Sequence, residues 1–321
     1  DVESRGLGDV YKRQIYDRIA KRCLTLSNRA IVQFINGVYG VNHDLDSRVT
    51  YNWTEHVDEE LKRTLADTII TINHAYSYHI EFQIDTDGSI IFRMLDYGFH
   101  HAIKNHTGSD VLEFPEPVVI YLYEGQSLPD ERRLTIRFGS QGTFEYSVPV
   151  IKYLTLSEEE LDKKKMIILI PFQLLKLRRE FEKARTPENL EALKRLVSHD
   201  IIESISINLK AGNITPVDAQ RLGQLTQALF HHIYDRYPEV AEKGVDDEVD
   251  DALILEIDIV EQEITQRVTK EVTKEVTEEV TKKVTAQKNA EILAIKLLVK
   301  GKAIEELSLI HISEPTRLDV I

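Results

Sequence analysis

The chain has 321 residues, 42% hydrophobic and 29% charged, so it can bury a core and is not disordered throughout. Its net charge of −14 is unusual for a protein that binds nucleic acid, because phosphate contacts need positive charge. The single Cys23 excludes an internal disulfide framework and a cysteine-built zinc site. No run of about 18 apolar residues occurs, so we expect no membrane partner and predict a cytoplasmic location.

The two ends of the chain have a common origin outside the protein. The DNA that encodes residues 307–317, LSLIHISEPTR, has a reverse complement that encodes residues 4–14, SRGLGDVYKRQ. Two peptides related in this way indicate one sequencing adapter read in both directions. We therefore assign residues 1–14 and 307–321 to adapter-derived sequence and exclude them from fold reasoning. The natural part is expected to be a fragment from about Ile15 to Glu306.

The first part of the chain predicts a helix and then a hairpin. Apolar residues recur at helical spacing from Tyr16 to Val38, and an irregular, charged stretch follows as far as Glu60. Leu65–Ile72 and Tyr78–Gln83 are short runs rich in β-branched and aromatic residues, separated by turn-forming residues. They are predicted to form two paired strands.

The next part predicts one helix and three more strands. Ile90–Lys104 returns to helical periodicity, and Pro117–Tyr123 has the continuous apolar pattern of a buried strand. Leu134–Phe138 and Phe144–Val150 are predicted to form a further pair. The order helix, two strands, helix, strand favours an α/β fold with a mixed sheet flanked by helices. We take residues 15–150 as this core.

Residues 151–240 are predicted to form a mainly helical extension packed on the core. Thr186-Pro187 and Thr215-Pro216 each supply an N-cap and a proline at the first helical position. Asp218 occupies the capping-box position of the second helix. Residues 241–306 are then predicted to form an acidic linker and a long C-terminal helix.

A low-complexity repeat runs from Val268 to Thr285, with a valine at every fourth position. A period of four exceeds the 3.6 residues of a helical turn, so the apolar stripe drifts and favours a right-handed wrap between associated helices. Two interpretations stay open: a solvated helical stalk and a surface for self-association. We predict a homo-oligomer held by this helix.

Asp67, Glu81 and Gln83 are the candidate catalytic residues. Alternate side chains of a strand share a face, so Glu81 and Gln83 point the same way. Asp67 can approach Glu81 across the hairpin, and two converging carboxylates suit Mg²⁺. On spacing alone, a solvated strand edge with incidental carboxylates is the alternative interpretation. The position of the pattern between two helices favours the functional one.

Long segments of the chain resemble the recombination-promoting nuclease and transposase family of bacteria. The resemblance covers most of residues 15–255 and implies a restriction-endonuclease-like fold of the PD-(D/E)XK superfamily with magnesium-dependent DNA cleavage. It implies Asp67 and Glu81 as metal ligands and Gln83 in place of the usual lysine. The segments are LSNRAIVQFINGVYG, LADTIITINHAYSYHIEFQ, FRMLDYGFHHAIKN, FPEPVVIYLY and KKKMIILIPFQLLKLR.

Several other residues are less specific. Arg93, on the helix after the strands, is a candidate phosphate contact, whereas the Lys163–Lys165 run is more typical of a solvated face. Ala66 replaces the leading proline of the family motif, and Asp17 is not assigned a role. The histidines form no zinc pattern, although His79 shares the strand face of Glu81.

Three functional hypotheses follow. The first is a DNA endonuclease in which Asp67 and Glu81 hold Mg²⁺ and Gln83 positions the attacking water. The second is a catalytically silent DNA-binding protein on the same fold. The third is an oligomerising scaffold built on the Val268–Thr285 helix. DNA and Mg²⁺ are the expected partner and cofactor of the first hypothesis.

Overall fold

A mixed six-stranded sheet forms the first part of the molecule. The computed structural model describes residues 15–16, 18–53, 68–84, 87–108, 110–123 and 128–300. Asp67 and both adapter-derived ends lie outside them. The strands stand in the order β1-β2-β3-β4-β6-β5. They are β1 Val49–Trp53, β2 Thr68–Ile72, β3 Tyr76–Gln83, β4 Glu116–Tyr121, β5 Glu131–Arg137 and β6 Thr143–Lys152.

The strand directions bring three carboxyl ends to one edge of the sheet. β1, β2 and β3 are antiparallel in sequence order, and Thr68 pairs with Ile80 at one end of the predicted hairpin. β3 and β4 are parallel, β4 and β6 are parallel, and β5 returns antiparallel along β6. Open α/β sheets commonly bind ligands at the carboxyl ends of their parallel strands.

The helices precede, interrupt and follow the sheet. A helical segment, residues 18–23, comes first. Two 3₁₀ turns, Gly139–Gln141 and Tyr153–Thr155, a long 3₁₀ segment, Met166–Leu177, and a π-helical turn, Leu196–Ile201, connect the later elements. The α-helices are α1 Asn28–Tyr39, α2 Ile90–Lys104, α3 Glu158–Lys163, α4 Arg178–Lys183, α5 Pro187–Arg195, α6 Ile202–Lys210, α7 Pro216–Tyr234, α8 Pro238–Glu242 and α9 Val245–Val299.

Helix α2 covers the sheet face to which odd-numbered β3 residues point. Its buried side chains Ile90 and Met94 join a core cluster with Val119 and Tyr121 of β4 and Val148 of β6. The 3.6-residue periodicity of α2 places its apolar side chains on one face of the helix. The two-residue alternation of the strands does the same for the sheet, and the two apolar faces pack together. The helix is thereby fixed over the carboxyl end of β3.

The 3₁₀ segment forms the centre of the helical half. Its residues from Met166 to Leu175 are buried, and it packs against α1 and α7. Gly37 of α1 lies against the backbone of Lys164, just before this segment. Asp218 of α7 completes the predicted capping box with Thr215 and also accepts hydrogen bonds from the backbone and side chain of Ser27. One buried carboxylate therefore caps two helices.

Most sequence predictions for these elements are confirmed. Helix α2 has the predicted bounds, the hairpin pairs antiparallel, and β5 and β6 form the predicted pair. The single helix predicted for Tyr16–Val38 is wrong, because the chain leaves the helix after Cys23 and restarts at Asn28. Ser27, held by Asp218, is the N-cap that causes this break.

Strand β1 was not predicted. The charged stretch was expected to be irregular, but Val49–Trp53 pairs antiparallel with β2. Its sequence VTYNW is rich in β-branched and aromatic residues, which form strands when a partner edge is present. A segment of five residues cannot be distinguished from a loop by its sequence when the strand that it pairs with is not known.

The chain divides into two compact units, Asp1–Glu261 and Gln262–Ile321. The first contains the sheet and the helical half. The acidic residues expected to form a linker lie in the first turn of α9, where acidic side chains favour a helix N-terminus. Among the residues described here, no helix is long and apolar enough to cross a membrane.

Candidate active site

The candidate site lies on β3, the strand on which the sheet changes from antiparallel to parallel pairing. His79, Glu81 and Gln83 alternate along this strand and share one face. All three are buried, and Glu81 has no exposed side-chain surface. An ionised carboxylate is costly to bury without compensating contacts. The surroundings of Glu81 therefore define the chemistry of the site.

Two donors converge on one carboxylate oxygen of Glu81. The amide Nε2 of Gln83 donates to Glu81 Oε1 at 2.9 Å, and Arg93 Nη2 donates to the same oxygen at 2.9 Å. The first contact follows from two-residue spacing on the strand, and the second from the position of Arg93 in the first turns of α2. The positive charge of Arg93 compensates the buried negative charge. The structure thus joins three of the predicted site residues.

Asp87 is a fourth member of this group that the sequence analysis did not identify. Its Oδ2 lies 3.2 Å from Arg93 Nη2, so one guanidinium nitrogen contacts two carboxylates. Burial raises the pKa of Asp87, but hydrogen bonds from Ser89 and the charges of Arg93 and Arg132 outweigh it and hold the pKa below its ordinary value. Asp87 is therefore an anion at neutral pH.

The sequence around Asp87 indicates only a local turn. Asp87 accepts hydrogen bonds from the backbone N–H and the hydroxyl of Ser89, two residues later, which is an Asx turn. Such a turn before a helix is an ordinary structural feature. The proximity of Asp87 to Glu81 depends on Arg93, and therefore on the packing of α2 against the sheet.

Further polar side chains surround the same edge. Tyr121 of β4 pairs in register with Gln83 on one side and with Lys152 of β6 on the other. Arg132 of β5 donates from Nη2 to the Tyr121 hydroxyl at 3.1 Å. These residues belong to strands that are distant in sequence from Glu81, so no local motif indicated them.

Deeper along β3, His79 is buried beside Tyr97 of α2, with ring centroids 6.5 Å apart. His101 of α2 contacts the Ser77 hydroxyl at 3.1 Å through Nε2. Burial, and then the charges of His79 and Lys104, lower the pKa of His101 below its ordinary value. These histidines therefore pack between α2 and β3.

The other sequence candidates lie elsewhere. Cys23 is buried, and burial raises the pKa of its thiol, so the residue packs as a small apolar side chain. Lys163 is exposed, whereas the carbonyl of Lys164 contacts α1. His231 forms ion pairs with Asp235 and Asp250 in the helical half.

Of the two predicted metal ligands, the described residues include only Glu81. Glu81 has the oxygen chemistry that Mg²⁺ requires. In the portion of the chain described, no group of three or more His, Cys, Asp or Glu side chains could hold a metal ion. Asp67, the second predicted ligand, lies outside that portion.

No family model matches the chain, and no curated protein or solved structure has significant similarity to it. The resemblance to the nuclease family therefore depends on the five segments quoted above.

Proposed function

We propose that the chain is a magnesium-dependent DNA endonuclease whose active site is built on Glu81. The observation that carries this proposal is the fully buried Glu81 carboxylate, which Gln83 and Arg93 hold at the carboxyl end of β3. A buried ion pair is often no more stable than an apolar pair of similar volume. Charged groups held in this way are frequent at functional sites.

The fold supports the proposal at a coarser level. A mixed sheet flanked by helices is the architecture that the family resemblance implies, and α2 follows the candidate strand directly. Such a sheet holds side chains from neighbouring strands in fixed relative positions. The restriction-endonuclease-like fold itself is part of the proposal.

Asp67 and Glu81 would hold the metal ion. Asp67 directly precedes Thr68, and Thr68 pairs with Ile80, which directly precedes Glu81. When bound, Mg²⁺ supplies a Lewis acid that lowers the pKa of water and stabilises negative charge on a phosphate. Two carboxylates with water and substrate phosphate make a ligand set that this ion favours.

Gln83 and Arg93 would then act through hydrogen bonds. The Gln83 Nε2 fixes the orientation of Glu81, and the side-chain carbonyl of the same amide is an acceptor for the water that attacks the phosphodiester. Arg93 is the donor that stabilises charge developing on the scissile phosphate. Because Arg93 also contacts Asp87, it has a second anchor if the phosphate draws it from Glu81.

One observation favours a second candidate, a catalytically silent DNA-binding protein. Arg93 Nη2 contacts the same oxygen of Glu81 that receives the Gln83 hydrogen bond, as in a purely structural ion pair. A cation in this position competes with a metal for the carboxylate. This candidate predicts DNA binding that does not depend on metal and no cleavage.

Nicking of supercoiled plasmid by the full chain tests the proposal, with Mg²⁺ or EDTA, beside Glu81→Gln. Glu145→Gln is the matched control, because it makes the same change at an exposed strand position. The proposal predicts nicking with Mg²⁺ alone, retained in the control and lost in Glu81→Gln. Nicking that persists in a pure preparation of Glu81→Gln would remove Glu81 from the mechanism. No nicking by folded wild-type protein favours the silent DNA-binding candidate.

A further inference from the structure

The carboxyl ends of three parallel strands present a row of polar side chains beside Glu81. Gln83, Tyr121 and Lys152 are successive partners across β3, β4 and β6. Directly paired residues share a face, so this row lies on the face that α2 covers. It extends the site from one strand to the full width of the parallel part of the sheet.

Arg132 adds a second cation to this face. It pairs with Val148, a member of the core cluster under α2, and its Nη2 donates to the buried Tyr121 hydroxyl. Its Nε is buried and has no hydrogen-bond partner among the residues described. The charge of Arg132 also contributes to the low pKa of Asp87. Arg132 is thus directed toward the group around Glu81.

Lys152 adds a third cation that is easily released. Its Nζ lies 2.7 Å from Asp130 Oδ1, but the Asp130 side chain is 96% exposed. An ion pair with such an exposed partner contributes little and is screened by salt. The lysine can therefore exchange this partner for another anion at small cost.

We propose that Arg132 and Lys152 bind the phosphate backbone of the DNA substrate and position it beside Glu81. The inference rests on the proposed function and adds the substrate-holding residues to it. With a net charge of −14, the chain needs a local group of cations to bind a polyanion. A guanidinium and an ammonium group on the sheet face that α2 covers provide that group.

The orientation of β5 supplies a matched control. Arg133 is the next residue on the same strand, pairs with Ser147 and forms an ion pair with Glu131. Successive residues point to opposite faces, so Arg133 lies on the face away from α2. Arg133→Gln removes the same charge as Arg132→Gln from the same strand.

The test is the affinity of the full chain for a fluorescein-labelled DNA duplex at several salt concentrations, in EDTA so that no cleavage occurs. We expect Arg132→Gln and Lys152→Gln each to weaken binding several-fold. Each also lowers the slope of log affinity against log salt by about 0.9, the value for one lost phosphate contact. Arg133→Gln leaves affinity and slope unchanged. Lys152→Gln keeps the test valid if Arg132→Gln does not fold, since Lys152 is partly exposed.

The outcomes separate this inference from the proposed function. Unchanged affinity and slope in Lys152→Gln and in folded Arg132→Gln, or an equal loss in Arg133→Gln, overturns the inference. If plasmid nicking still requires Glu81, the proposed function stands alone. Weakened binding without nicking by the wild type supports the inference and removes the endonuclease.

Discussion

Arg93 determines the electrostatics of the candidate site at the residue scale. It is 20% exposed, Glu81 is not exposed, and one Arg93 nitrogen contacts both Glu81 and Asp87. Removing Arg93 leaves a buried carboxylate without its cation, whereas removing the charge of Glu81 leaves Arg93 with Asp87. The two halves of the ion pair are therefore not equivalent for stability.

We predict that Arg93→Met lowers the free energy of unfolding by about 3 kcal/mol, because it removes the cation that contacts the buried Glu81 carboxylate. Glu81→Gln is expected to cost about 1 kcal/mol, because its amide oxygen still accepts a hydrogen bond from Arg93. Urea unfolding of both variants measures the difference. Equal losses would contradict the asymmetry and indicate that Asp87 does not retain Arg93.

His101 makes the stability of the folded chain depend on pH. Burial lowers its pKa, so between the folded pKa and the ordinary value of 6.5 the unfolded chain binds a proton that the folded chain does not. This contribution to stability is present above pH 6.5 and is lost as the pH falls through the folded pKa.

We predict that His101→Gln loses less stability than the wild type when the pH falls below 6.5. Urea unfolding of the wild type and the variant at a series of pH values provides the measurement. Identical pH profiles for the two proteins would show that His101 contributes nothing to the dependence.

At the scale of elements, the sequence predicted those whose signals are local. The bounds of α2, the hairpin and the caps at Thr186 and Thr215 follow from periodicity, turns and capping residues. The break before α1 depends on Asp218, a residue 191 positions away from Ser27. Such a tertiary contact leaves no trace in local periodicity.

In the candidate site, too, local sequence spacing predicted some residues, whereas tertiary packing determines the others. Glu81 and Gln83 were predicted because two-residue spacing on one strand fixes their relation. Arg93 was predicted only as a candidate phosphate contact, and its ion pair with Glu81 depends on how α2 packs. Asp87 contacts Arg93 because α2 packs on the sheet, and Arg132 and Lys152 reach the same sheet face through the strand order, which the sequence did not specify.

Substitution of Gly37 tests the packing of α1 against the backbone that precedes the 3₁₀ segment. A Cβ at this position would overlap the Lys164 carbonyl and lie 2.9 Å from Lys165 N, and both are backbone groups. We predict that Gly37→Ala lowers the free energy of unfolding by about 3 kcal/mol despite the higher helix propensity of alanine. Gly88→Ala is the control, because its Cβ would meet nothing within 4 Å. Comparable thermal unfolding of the two variants would contradict this packing.

At the scale of the whole molecule, the repeat on α9 is the candidate surface for association between copies of the chain. The five valines of the repeat on α9 are 45–54% exposed. Threonines at 269, 273, 277 and 281 donate to carbonyls four residues earlier, so they need no outside partner. The valines form an exposed apolar stripe that a second helix would bury, so association is the outcome that a measurement can test.

We predict that the full chain associates reversibly in sedimentation velocity experiments as its concentration rises. Serine in place of Val272, Val276 and Val280 is expected to abolish the association, because it removes apolar surface from the centre of the stripe. Circular dichroism of the triple variant checks that the helix persists. A wild-type chain that stays monomeric at every concentration would favour the solvated stalk.

We propose that Asp67 and Glu81 form one magnesium site at which DNA is cleaved. The most direct test is a comparison of single-turnover nicking by Asp67→Asn, Glu81→Gln and the double variant in Mg²⁺. Residues that act as a unit are non-additive, so each single change should lower the rate by more than about 10³-fold and the double change no further. Nicking retained in either single variant, or losses that multiply in the double variant, would contradict a shared site.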